Sequence, residues 1–328
     1  MKRRTLVLAS GAWALLAGPS LLYGQIGARR LKIGTLDDGS ETARARLWEA
    51  FFHRLAELGY SQGRNLTVER RFARGQPERL PALAAELVAL TPDVLVTAST
   101  PATRAAKLAS ARIPIVFVGL GDPVATGLIV SFAQPGGNLT GTSMLAIDLG
   151  GKWIELLREI APGVRRVAYL TDTSNPASVI GFERLREQAL RLDTAVQVYD
   201  ARQRGALERS LETIVRERHD GLVVGTNAIL LDHREQIVQF AARTRLPTVY
   251  ARGEYVEAGG LISYGSDNLG LYARGADYVH RIASGAKPAE LPVERPNTIQ
   301  LIVNLKSARA LGIKLPPRVL LGADRVIE

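Results

Sequence analysis

The chain has 328 residues, is 46% hydrophobic and 23% charged, and carries a net charge of +10 with no cysteine. With a mean hydropathy of +0.03, this excludes a disordered, collagen-like or multi-span membrane protein, and the missing cysteines exclude disulfide frameworks, zinc–thiolate sites, lipoprotein anchoring and cysteine nucleophiles. Removing Lys2, Arg3 and Arg4, which begin a targeting segment, lowers the surplus to +7. The rest is interleaved with acids (Glu183-Arg184, Arg186-Glu187, Glu208-Arg209, Arg216-Glu217-Arg218), as on solvated helix faces, so no nucleic-acid stripe is expected.

Residues 1–28 have a basic start, an apolar run from Leu6 to Leu22 interrupted by Ser10, Gly11, Gly18, Pro19 and Ser20, and then the small residues Gly24, Gly27 and Ala28. This is the order of a cleavable secretory signal, and Arg3-Arg4 also fits a twin-arginine signal; the expected location is periplasmic. From Leu31 onward, short β-branched runs alternate with longer amphipathic stretches. The predicted strands are Leu31–Leu36, Leu66–Phe72, Val94–Thr97, Ile115–Val118, Leu139–Met144, Val167–Leu170, Val196–Tyr199, Gly221–Val224, Thr248–Tyr250 and Leu261–Tyr264. Helices separate them, apart from a looser turn region at 122–136. Leu47, Phe51, Leu55 and Leu58 share one face of the first helix, and Gly59 ends it. Pro101 and Pro176 each mark a helix start.

The alternation specifies an α/β protein with parallel sheets, and ten strands divide into two doubly wound lobes of five. The expected division is 29–147 with 268–296 in lobe 1, and 148–267 with 297–328 in lobe 2. The proline-rich tail holds one more apolar run, Ile299–Val303, expected at a lobe edge.

Ligands of open α/β sheets sit beyond the carboxyl ends of the strands, at helix N-termini. That rule selects Asp37, Asp38, Ser99, Thr100, Gly121, Asp122, Met144, Thr173, Ser174, Asn175, Thr226, Asn227, Tyr250, Arg252 and Tyr264 as candidate ligand-binding residues. Ser99, Thr100, Ser174 and Asn175 equally suit helix caps. Arg252 matches a carboxylate but stands near Glu254; Tyr250 and Tyr264 read as pocket walls or as core; Asp37 or Asp38 reads as an ammonium acceptor or as a turn residue. Enzyme signatures are missing: Val124 stands where a dinucleotide loop needs glycine, and there is no Walker A loop and no G-x-S-x-G elbow. His53, His219, His233 and His280 show no metal-ligand spacing, so no metal, cofactor or catalytic residue is expected.

Several blocks together carry a resemblance: Leu58-Gly59-Tyr60 with Gly63-Arg64-Asn65, Leu80-Pro81-Ala82-Leu83, Ile113-Pro114-Ile115-Val116-Phe117, Pro135-Gly136-Gly137-Asn138-Leu139-Thr140-Gly141, Gly259-Gly260-Leu261-Ile262-Ser263-Tyr264-Gly265 and Asn304-Leu305-Lys306-Ser307-Ala308. With these the sequence resembles the substrate-binding proteins of ABC transporters in the ABC_sub_bind family, which includes TrpX-like proteins of the type I periplasmic-binding fold. The resemblance implies two lobes joined by a three-segment hinge with a ligand in the cleft, without naming that ligand; a small polar or amino-acid-like molecule is expected there. It also implies delivery to a membrane permease and its ATPase, with the binding protein a monomer that meets the membrane only through the permease. A receptor of the same shape that presents its ligand to a sensor is the alternative.

Overall fold

The computed structural model describes residues 30–144, 148–202, 204–296 and 298–328; the expected export signal, 1–28, lies outside them. In chain order the elements are β1 (Leu31–Asp37), α1 (Glu41–Glu57), β2 (Leu66–Phe72), α2 (Leu80–Ala89), β3 (Val94–Ala98), α3 (Thr100–Ala109), β4 (Ile115–Leu120) and β5 (Leu139–Ser143). There follow α4 (Gly150–Ile160), β6 (Arg166–Thr171), α5 (Pro176–Arg191), β7 (Ala195–Asp200), α6 (Arg204–Arg216), β8 (Gly221–Val224), α7 (Ala228–Asp232), α8 (Arg234–Thr244), β9 (Thr248–Tyr250), α9 (Gly253–Glu257) and β10 (Ile262–Ser266). The chain closes with α10 (Asn268–Ala283), β11 (Ile299–Asn304), α11 (Leu305–Leu311), α12 (Pro317–Leu321) and β12 (Arg325–Ile327).

Two sheets result. The first, ordered β2-β1-β3-β4-β5, is parallel throughout; the second is ordered β12-β11-β10-β9-β8-β6-β7. Both have apolar residues packed on each face, as sheets covered by crossover helices require. The chain passes between the sheets three times: after β5, between β10 and α10, and between Glu294 and β11. Although it follows β10, α10 packs on α1, β4 and β5 of the first sheet.

The second sheet departs from the all-parallel expectation at one edge, where β11 runs antiparallel to β10, with Ile262 opposite Val303 and Ser266 opposite Ile299. The reason is the path: α10 lies on the other sheet, so the tail re-enters from the hinge side and must run opposite to β10. Neighbouring backbone bonds tie the crossings together, from Ser143 N to Glu294 O at 2.8 Å and from Asp267 N to Thr298 O at 3.3 Å, and the Ser266 hydroxyl donates to Met144 O.

Local chemistry sets the helix starts that face the space between the sheets. Ser40 caps α1 by accepting from Ala43 N, Ser99 caps α3 by accepting from Ala102 N, and Asn175 caps α5 by accepting from Ala177 N. Ser99 does so at φ +91°, a strained backbone for a residue with a side chain. The Pro135–Gly141 block is structural: a Cβ at Gly141, whose φ is +147°, would stand 1.9 Å from Phe117 O, and the Asn138 amide donates to Ser110 O and Ile113 O.

Candidate functional site

A cavity lies between the carboxyl ends of the two sheets. The first sheet's side contributes Asp38 beyond β1, Ser99 and Thr100 at the start of α3, Gly119 to Gly121 at the end of β4, and Met144 beyond β5. The second contributes Tyr169 from β6, Asn175, Ala177 and Ser178 at the start of α5, Thr226 and Asn227 beyond β8, and Arg252 beyond β9. Arg44 of α1, Trp153 of α4 and Tyr272 of α10 complete the wall.

The charged groups gather at one end. Arg44 is almost fully buried, 3.5 Å from Asp37 Oδ1 and 3.6 Å from Asp38 Oδ1. Burial works against its charge, but Asp37, Tyr272, Asp38 and Asp232 more than offset that and hold the guanidinium cationic. Burial, then the Asp37 charge, pushes the Asp38 carboxyl up to about 7, against the downward pull of Arg44 and Ser99. Arg252, 2% exposed, donates from Nη2 to Glu254 Oε1 at 2.6 Å. Burial, the largest influence, raises the Glu254 carboxyl, but the Arg252 charge and hydrogen bond, a backbone hydrogen bond and the Arg44 charge together outweigh it, and the group lies below its ordinary range.

The other end is neutral. Trp153 donates through Nε1 to Tyr264 O at 2.7 Å, which fixes its ring, and Tyr169 stacks on Phe182 with centroids 6.1 Å apart. Asn227 is locked by accepting from the Thr171 hydroxyl at 2.7 Å and donating to Ser178 Oγ at 2.8 Å. The N-termini of α3 and α5 approach from opposite sheets, so the cavity offers anion-binding helix ends from both sides. Among the described residues, no group of three or more His, Cys, Asp or Glu side chains is placed to hold a metal ion.

Of the sequence-selected residues, the cavity brings together Asp38, Ser99, Thr100, Gly121, Met144, Asn175, Thr226, Asn227 and Arg252. The others stand apart. Asp37 lies one position behind the wall, fully buried, accepting from Gly39 N and Trp48 Nε1. Asp122 caps its own turn by accepting from Val124 N and Ala125 N. Thr173 bonds Asp200, and Ser174 bonds Asp172. Tyr250 is buried in the core, stacked on Tyr255 at 4.9 Å between centroids, and Tyr264 packs beside the second sheet's core, opposite Leu301 of β11.

Sequence reasoning missed Arg44, Trp153, Tyr169, Ser178 and Tyr272. Arg44 had a readable signal: it falls on the stripe of Leu47, Trp48, Phe51 and Leu55, where a cation is out of place unless it has a buried partner. Tyr169 sits within a strand and Tyr272 on a helix of the returning segment, so proximity to strand ends does not find them.

Contacts between the two sides keep the cleft narrow. Asp232, at the end of α7, accepts from Ser40 N at 3.0 Å and from Ser40 Oγ at 3.0 Å. Arg46 of α1 pairs with Glu257 of α9 at 2.5 Å, and Arg184 of α5 lies 3.7 Å from Asp122.

Comparison with known proteins places the chain. The family model described as ABC transporter substrate binding protein matches residues 40–327, and the chain belongs to that family. It is 25% identical over 267 residues to a tyrosine-binding protein of Clostridioides difficile, covering 81% of this chain and 76% of that one. The structure of an ABC domain from Streptococcus pneumonia in complex with L-Trp aligns with a TM-score of 0.84 at 25% identity, covering 91% of this chain and 100% of that one. A ligand-free, open substrate binding protein from Clostridium difficile, 24% identical, aligns with a TM-score of 0.64 over 90% of this chain and 99% of that one. The fold is therefore the type I periplasmic-binding architecture.

Proposed function

We propose that this protein is the exported solute-binding component of an ABC-type importer, a monomer that captures an amino-acid-like solute between its lobes and delivers it to a membrane permease worked by an ATPase. The observation that carries this reading is the make-up of the cavity wall. The wall combines the charged Arg44, Arg252 and Asp38 and the starts of α3 and α5 with the apolar or aromatic Trp153, Tyr169 and Met144. That pattern suits a charged head on an apolar body. The relatives named for tyrosine and solved with L-Trp make aromatic amino acids the first solutes to test.

In the closed arrangement the cavity measures about 60 Å³, room for a few waters. A solute of amino-acid size therefore enters by parting the lobes and is held by contacts stronger in the closed state, the condition for binding to drive closure. Lobe 1 (29–147 with 268–296) and lobe 2 (148–267 with 297–328) are the bodies that move. A thermal-shift screen against amino acids, small carboxylates, sugars and purines tests the reading. A true ligand at about a hundred times its Kd stabilises by about 2.7 kcal/mol. The expected hits are amino acids; hits confined to sugars would contradict the assignment.

A further inference from the structure

The two sheets end in four edge strands, and three of these are closed to further pairing. β2 carries Glu69, Arg70 and Arg71 along its length. β5 is covered by the returning chain, with Ser143 N donating to Glu294 O and Glu294 N donating to Gly141 O. β12 is three residues long and begins with Arg325. Charge, cover and shortness are the ordinary guards of a sheet edge. The fourth edge, β7, has none of them. It runs for six residues with no charge before Asp200 and no proline, and among the described residues no segment covers it.

The register fixes which backbone groups of β7 are free. The strand runs parallel to β6, and Ala195 N and Ala201 N donate to Arg165 O and Thr171 O. The odd-numbered residues therefore bond to β6, and the N–H and C=O groups of Val196 and Val198 point away from the sheet. A groove of about 380 Å³ lies along this edge, walled by the strand itself with Arg166, Phe182, Arg186 and His219. It shares no residue with the cavity between the sheets.

The groove is basic, and no carboxylate lines it. Arg166 stands opposite Ala195 in the ladder and so shares the face of Ala195 and Gln197. Val196 and Val198 pack with Phe182 on the other face, the side of α5 and Arg186. The nearest acids are engaged: Asp220 accepts from Arg165 N and Arg166 N, and Glu217 accepts from the Tyr199 hydroxyl and Gln197 Nε2. Arg186 pairs with Glu183, but both are half-exposed, and such a pair exchanges readily. A second copy of this chain does not fit, because β7 laid against β7 sets arginines against arginines.

We infer that β7 is a docking edge that takes an extended, acidic segment of a partner protein as an added strand, bonded to Val196 and Val198 and flanked by Arg166 on one face and Arg186 on the other. Main-chain bonds supply the affinity. Because successive side chains of a strand point to opposite faces, two adjacent acids on the added segment meet one guanidinium each.

The probe is a capped peptide of about eight residues, with two central glutamates flanked by valine and threonine, added to the folded protein. Fluorescence anisotropy should show saturable binding, and hydrogen exchange should slow about tenfold or more at the Val196 and Val198 amides. A peptide with lysines in place of the glutamates should bind about tenfold or more weakly, and Arg166→Glu with Arg186→Glu should reverse that order. Val198→Pro removes an outward N–H while sparing the β6 ladder and should weaken the glutamate peptide; the exposed arginine pair keeps the test open if that variant fails to fold. Lysine and glutamate peptides that bind equally, protection that falls outside β7, or no saturation at about 1 mM peptide overturns the inference. So does self-association of the chain through β7 in sedimentation. Solute binding between the sheets is independent of each of these results.

Discussion

Arg252 has the largest fully buried side chain among the described residues, and it faces two ways, toward the cavity and toward Glu254 at 2.6 Å. Replacing it with Ala should weaken a carboxylate-bearing solute by about 1 to 3 kcal/mol through loss of a charge-assisted bond, read by calorimetry. It should also leave Glu254 without its cation and lower Tm, since removing one partner of a buried pair costs about 3 to 5 kcal/mol. Because the Glu254 carboxyl lies below its ordinary value of 4.5, the pair's contribution is present above that pH and fades as pH falls through the lower folded value. Asp38 has the opposite sign. Its carboxyl is raised from 3.8 to about 7, so ionising it costs stability progressively as pH climbs between those values. Asp38→Asn in the ligand-free protein should therefore raise Tm more near pH 8 than near pH 5, by thermal denaturation. An equal gain at both would mean that Asp38 ionises in the native state much as it does in the unfolded chain.

At the scale of elements, the contact from α1 to the end of α7 joins the two sides outside the cavity wall, and on the proposed reading it would favour closure. Asp232 sits where α1 presents Ser40 N and Oγ, so a carboxylate from one lobe meets a helix N-terminus of the other. Asp232→Ala should speed solute release several-fold with little change in the association rate, and stopped-flow separates the two; equal slowing of association would point to a fault in the pocket itself. Gly141 tests packing alone. Its φ of +147° and the 1.9 Å approach of a Cβ to Phe117 O leave no room for Ala, and Gly141→Ala should cost several kcal/mol, about the upper range for single substitutions.

These elements also show what the sequence could tell. The strand–helix alternation is legible because β-branched runs and amphipathic stretches each bury one pattern, and residues just beyond the strands, such as Ser99, Asn227 and Arg252, follow from where parallel strands end. Side-chain direction does not follow, because successive residues point to opposite faces. That is why Tyr250 falls in the core and Asp37 one step behind Asp38. Arg44, Trp153 and Tyr272 depend on helices folding back over the sheets, and only Arg44 broke an apolar stripe visibly enough to be noticed. The tail's antiparallel β11 was illegible for the same reason: its direction depends on where α10 packs.

At the scale of the whole molecule, three chain crossings join two sheets whose facing ends form a cavity, and contacts between opposite sides hold that cavity narrow. Ligand binding in such a design is a shift between open and closed populations. Small-angle scattering should show a more compact particle on addition of a saturating amino acid, and Asp232→Ala should reduce that compaction at equal occupancy. The central claim, that the cavity between the lobes captures an amino-acid-like solute, is tested most directly by calorimetric titration of the wild-type protein and Arg252→Ala with the amino acid that stabilises the wild type most. The account predicts one site per chain and an affinity lowered by about 1 to 3 kcal/mol in the variant. Binding of undiminished strength in a folded Arg252→Ala protein would place the solute elsewhere and contradict it.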